Sequence, residues 1–135
     1  MSITVQKLSK EYQTQKAVDA IDFSIQPGEI VGFLGPNGAG KSTTMKMLTG
    51  FIPPSSGMAT VCNFDIQKDT EQVKKNIGYL PEHNPLYVDM YVKEYLAFVA
   101  GVYQVKEVAK RVQEMIALTG LDKEQGKLIR QLSKG

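Results

Sequence analysis

The chain has 135 residues, 42% of them hydrophobic and 22% charged, which suits one modest globular domain. A formal net charge of +2, carried by scattered lysines, argues against a nucleic-acid-binding surface. The single cysteine, Cys62, excludes an internal disulfide, and no apolar run is long enough to cross a membrane.

Residues 1–6 alternate apolar and polar positions like a strand, without the basic-then-apolar pattern of a signal peptide. A first strand is predicted over 3–8 and a second within 17–25, where Ile21, Phe23 and Ile25 alternate. Gln26-Pro27-Gly28-Glu29 reads as a turn. Ile30-Val31-Gly32-Phe33-Leu34 is an unbroken apolar run, the pattern of a strand covered on both faces.

Next comes Gly35-Pro36-Asn37-Gly38-Ala39-Gly40-Lys41-Ser42-Thr43, which fits the G-x-x-x-x-G-K-[ST] pattern of a phosphate-binding P-loop. Glycines let the backbone come close to phosphate oxygens, and successive N–H groups form an anion nest. Lys41 supplies a mobile positive charge to the β and γ phosphates, and the Ser42 hydroxyl sits on Mg²⁺. A helix starting near Lys41 adds the positive end of its dipole, and Gly50 is a suitable stop for it. Strand, loop and helix in that order are the context the motif requires.

Residues 51–57 form a rigid link rich in proline, and 59–62 read as a strand that holds Cys62 as a small buried side chain. A short helix is predicted near 70–75 and a strand over 76–80, followed by a loop over 81–89. Val92, Tyr95, Leu96, Val99, Val102 and Tyr103 recur at helical spacing, as do Val105, Val108, Val112, Met115, Ile116 and Thr119. These two helices carry packing stripes, and Gly120 is a good terminator of the second.

Tyr12, the segment Ala17-Val18-Asp19-Ala20-Ile21-Asp22-Phe23-Ser24-Ile25, Pro27-Gly28-Glu29-Ile30, residues 35–44, Gly50, Pro53 and Ser56-Gly57 together resemble ABC transporter ATP-binding subunits. The resemblance looks closest to the subunits of ABC-2-type exporters. Within these, residues 77–87 look like the bacterial gliding-motility-associated ATP-binding subunit. It implies an α/β fold: a P-loop NTPase core of ABC type with an N-terminal antiparallel β subdomain and the start of an α-helical subdomain, truncated. The expected division is a nucleotide-binding core over 1–81, a Q-loop linker over 82–90 and a helical subdomain over 91–135.

The resemblance also implies roles. Tyr12 falls at the aromatic that stacks on adenine, although a strand-edge tyrosine packed on its neighbours is the alternative. Val18 packs beside the base or belongs to the ordinary core. Glu82 stands where the family usually has the Gln that touches Mg²⁺ and the attacking water; the alternative is a solvated loop carboxylate. His83 has no partner ligands for a metal role. Leu132-Ser133-Lys134-Gly135 looks like the opening of the ABC signature, with Lys134 in place of its first central glycine.

A Walker-B element, an apolar run ending in Asp-Glu, is missing after the P-loop. Val61-Cys62-Asn63-Phe64-Asp65 comes nearest, but Asn63 interrupts it and no acid follows Asp65. The expectation is therefore an ABC-type ATPase by resemblance whose 135 residues bind MgATP weakly and hydrolyse it little. Without a Walker-B strand, residues 30–34 are expected to expose one hydrogen-bonding edge, giving marginal solubility. The implied cofactors are ATP and Mg²⁺. The implied partners are a transmembrane permease and a second ATP-binding subunit, with the protein peripheral on the inner face of the cell membrane. A soluble ABC protein acting on ribosomes or DNA, or an inactive nucleotide-binding fragment, is the alternative.

Overall fold

The computed structural model describes residues 2–81 and 85–133. They divide into two compact units, Met1–Leu80 and Pro81–Gly135.

In the first unit, β1 (Ile3–Tyr12) and β2 (Gln15–Ile25) form an antiparallel hairpin longer than the predicted strands. On its other edge β1 pairs with β3 (Ser56–Val61), and the short β4 (Phe64–Asp65) folds back on β3, giving the order β2-β1-β3-β4. Bulges interrupt the β1–β2 register; at one of them Lys7 has a φ of 46° and its N–H donates to Asp22 Oδ1 at 3.0 Å. Val5 and Leu8 are buried while Thr4 and Gln6 face outward, so one side of the sheet makes the core.

Helix α1 (Lys41–Leu48) lays Met47 and Leu48 on that side, against Val5, Leu8, Val18, Ala59 and Val61. It ends as the sequence predicts. Gly50 takes a φ of 71°, its N–H donates to the Met47 carbonyl and Phe51 N–H to the Lys46 carbonyl. Helix α2 (Thr70–Asn76) closes the core with the fully buried Val73.

Two of the predicted strands do not form among the described residues. Residues 30–34 pair with nothing among the described residues, and neither does 77–80. Ile30 is 102% and Leu34 92% exposed, so this run is open where the sequence pattern predicts cover on both faces. The reason is physical: an apolar strand is stabilised by ladder partners and flanking helices, and the described residues bring none to it. Only Phe33 finds aromatic company, with its ring centroid 5.8 Å from that of Phe23. Cys62 also differs: it sits half-buried in the β3–β4 turn with a φ of 52°, not in the strand.

The second unit packs α3 (Val92–Val102) on α4 (Val108–Thr119), burying Val92, Ala100, Val112 and Ile116. Glu94 Oε2 accepts the Tyr91 N–H at 3.2 Å and so satisfies the start of α3. Gly120, with a φ of 69°, ends α4; the next N–H, of Leu121, returns to the Ile116 carbonyl. The tail is tied back to the entrance of α3: Val92 N–H donates to the Lys127 carbonyl, and the Arg130 guanidinium meets Asp89 at 2.9 Å. Among the described residues no helix is long and apolar enough to cross a membrane.

Candidate phosphate-binding site

The loop of residues 35–40 is delivered by the Gln26–Glu29 turn and the unpaired apolar run. At its end Gly40 adopts a φ of 86° and a ψ of 2°, a left-handed conformation that costs a side-chain-bearing residue about 1–3 kcal/mol. Space imposes the same choice. A Cβ on Gly40 would overlap the Ala17 carbonyl and stand 3.0 Å from Val18 Cγ2. The loop is therefore pressed directly onto β2.

The Gly40 carbonyl accepts from Thr44 N–H at 2.8 Å and from Thr44 Oγ1 at 3.0 Å. Thr44 is 2% exposed, so this pair of hydrogen bonds anchors the first turn of α1 from inside the protein. The N–H groups of Lys41, Ser42 and Thr43 precede the first helical acceptor and are left to face outward. Their partial positive charge is undiluted, because the first turn carries no acidic residue. Gly38, with a φ of 81°, adds a second left-handed position, and alternating hands turn successive amides to one side.

Lys41 folds back over this loop. Its ammonium donates to the Gly35 carbonyl at 2.5 Å and the Pro36 carbonyl at 2.6 Å. An ammonium has three N–H donors, so the two bonds fix the charge above the loop and leave one donor for an incoming oxygen. The Ser42 side chain is exposed on the first turn beside it. A hydroxyl is a neutral oxygen ligand of the kind Mg²⁺ accepts, and Mg²⁺ usually completes its shell with phosphate oxygens and water. The residues present fit that arrangement. No cluster of three or more His, Cys, Asp or Glu among the described residues offers a competing all-protein metal site.

Val18 is buried against Gly40, so the structure brings it to the loop. Tyr12 lies at the turn end of the hairpin, opposite Gln15, with 48% of its surface exposed. Glu82, His83, Lys134 and Gly135 lie outside the described residues. Leu132 and Ser133 belong to the second unit, where Leu132 N–H donates to the Ile129 carbonyl at 3.0 Å.

The nearest Walker-B-like run is a tight hairpin. Cys62 and Asn63 both have positive φ, 52° and 67°, between β3 and β4. Asp65 is consumed locally: its carboxylate accepts from Gln67 N–H at 2.8 Å and Lys68 N–H at 3.1 Å, which hold its pKa below the usual carboxylate value. An apolar groove lined by Ile3, Phe23, Val31, Phe33, Met45 and Leu48 offers packing surface and not phosphate donors. Two supports went unread in the sequence, the Ala17 carbonyl and Thr44. Only the threonine had a signal, its place one turn after Gly40.

A glycine loop that runs into a helix N-terminus, backed by an antiparallel sheet and crowned by a lysine, defines a P-loop nucleotide-binding domain. The ABC transporter family model matches residues 18–135, and the chain belongs to that family. It is 36% identical over 137 residues to rat ATP-binding cassette sub-family A member 2, across 98% of this chain and 6% of that protein. It is 38% identical over 121 residues to the linearmycin resistance ATP-binding protein LnrL of Bacillus subtilis, across 88% of this chain and 39% of LnrL. A solved ATP binding subunit of an ABC transporter matches with a TM-score of 0.85 at 27% identity, over 99% of this chain and 57% of that one. The chain thus spans less than two thirds of each of these relatives.

Proposed function

We propose that this chain supplies the phosphate cradle and base platform of an ABC exporter's ATP-binding subunit, binding MgATP to drive a permease. The observation that carries this reading is the closed constellation of Gly40 on β2, the free amides of Lys41–Thr43 and the Lys41 ammonium held over the loop. In this reading residues 35–43 bind the triphosphate, Lys41 neutralises the β and γ phosphates, and Ser42 ligates Mg²⁺. Tyr12 stacks on adenine and Val18 supports both loop and base.

The exporter assignment draws on the chain's resemblance to the subunits of ABC-2-type exporters and on LnrL, whose name is that of a resistance ATP-binding protein. A permease partner would place the subunit at the inner face of a membrane. A second ATP-binding subunit would meet the loop from outside, where its amides are open. The segment from Leu132 would contribute to the reciprocal site. Glu82 would add a carboxylate near the γ-phosphate and steepen the dependence of ATP binding on Mg²⁺; an unchanged dependence in Glu82→Gln would exclude that role.

Hydrolysis by these 135 residues alone is a separate matter. Their sequence holds no apolar run followed by Asp-Glu, and Asp65 is engaged in its turn. Phosphoryl transfer needs water and Mg²⁺ positioned by such groups, so the expected activity is binding with little turnover. Titration of the purified protein with MgATP, with and without Lys41→Ala, tests the binding. Phosphate release that depends on Lys41 would overturn the statement about turnover, while Lys41-independent binding would overturn the site.

A further inference from the structure

We propose that Lys10 is a positioning residue for the base-binding ring, holding Tyr12 in one orientation and tuning the face it offers; this rests on the stacking role proposed for Tyr12. The Lys10 ammonium lies over the Tyr12 ring, 5.4 Å from its centroid. It is not a loose surface lysine, because it also donates to the Pro53 carbonyl at 2.7 Å.

The acceptor is itself fixed. Pro53 and Pro54 restrict the link between α1 and β3. That link is stapled to β1 on both sides of Lys10: Ser55 N–H donates to the Ser9 carbonyl at 2.9 Å, and Glu11 N–H donates to Ser55 Oγ at 3.0 Å. Ammonium, carbonyl and ring therefore share one rigid frame. Lys10 also pairs opposite Val18, the residue that meets Gly40, so the frame is continuous with the phosphate loop.

The chemistry follows from the ring's quadrupole. A cation over one face is attracted to the negative π cloud and draws density from it. The ring loses rotational freedom, and the opposite face becomes a better stacking partner for an electron-rich purine. Lys10 touches neither phosphate nor base in this scheme; it acts through Tyr12.

The test compares MgATP with inorganic tripolyphosphate, which has phosphates and no base, by titration calorimetry of wild type, Lys10→Met, Lys10→Arg, Tyr12→Ala and the Lys10→Met/Tyr12→Ala pair. Lys10→Met should weaken MgATP by about two- to fivefold, leave tripolyphosphate unchanged, and have no further effect once Tyr12 is removed. Lys10→Arg, which keeps the cation, should recover most of the loss. An equal loss for tripolyphosphate would make Lys10 a general charge and overturn the proposal, as would an effect that persists without Tyr12. If Tyr12→Ala leaves MgATP unaffected, the stacking reading itself fails. If Tyr12→Ala weakens MgATP and Lys10→Met does not, only the role of Lys10 fails. Thermal unfolding of each variant separates these outcomes from loss of fold.

Discussion

The Lys41 ammonium is bonded to the Gly35 carbonyl, six residues back along the chain, and this closes the loop into a ring before any ligand arrives. The charge that a phosphate would meet is therefore already positioned. Lys41→Ala should weaken MgATP by about ten- to hundredfold, the range for losing a charged hydrogen-bond partner. Lys41→Arg should weaken binding as well, because the longer, planar guanidinium does not place a compact point charge where the two carbonyls converge. Equilibrium titration with MgATP checks both.

Gly40→Ala should destabilise the fold by about 1–3 kcal/mol from the left-handed backbone alone. The overlap with the Ala17 carbonyl then forces the loop off β2. Urea unfolding measures the first effect, and loss of MgATP binding at temperatures where the variant is still folded reports the second. A variant of wild-type stability would mean that the loop does not rest on the strand.

The apolar run before the loop makes a contrasting prediction. Residues 30–34 have no ladder partner among the described residues, so their amides should exchange with solvent far faster than those of β1, which is paired on both edges. Hydrogen-exchange mass spectrometry over peptides covering 3–12 and 30–34 checks this. Equal protection would show that the run is covered in solution.

Asp65 gives a pH dependence whose sign is fixed. Its folded pKa lies below the ordinary 3.8 because the Gln67 and Lys68 amides favour the charged form. The stability it contributes is present above 3.8 and is lost as pH falls through the lower folded value. Asp65→Asn keeps an acceptor oxygen but no titration, so its stability should be lower near neutrality and flatter on the acid side. Unfolding midpoints between pH 2 and pH 7, on the order of the span where carboxylates titrate, test it.

Much of this was legible in the residues. The motif, the stop at Gly50 and the two amphipathic helices depend on local chemistry: glycine conformations, an N-terminal dipole, a repeat of 3.6. The turn at Cys62 and Asn63 was missed because neither residue is glycine, the usual mark of two positive φ angles in sequence. Residues 30–34 and 76–80 depart from the strand pattern for a different reason, although an open edge at 30–34 is itself what the missing Walker-B run predicts. Their apolar composition reports the environment that suits them, while a ladder requires partners that composition does not reveal. The contact of Gly40 with Ala17 and Val18 joins segments far apart in sequence, and no local pattern announces it.

That contact has a consequence for how tightly a ligand is held. Gly40 rests on Val18, Val18 faces Lys10 across the hairpin, and Tyr12 follows two residues on, about 7 Å along the strand. A molecule that engages both loop and ring meets two grips at a separation set by the sheet. Once its phosphates are seated, its base is presented at high effective concentration, and the second engagement is intramolecular. Adenosine and tripolyphosphate supplied as separate molecules would forfeit that advantage even with every contact preserved.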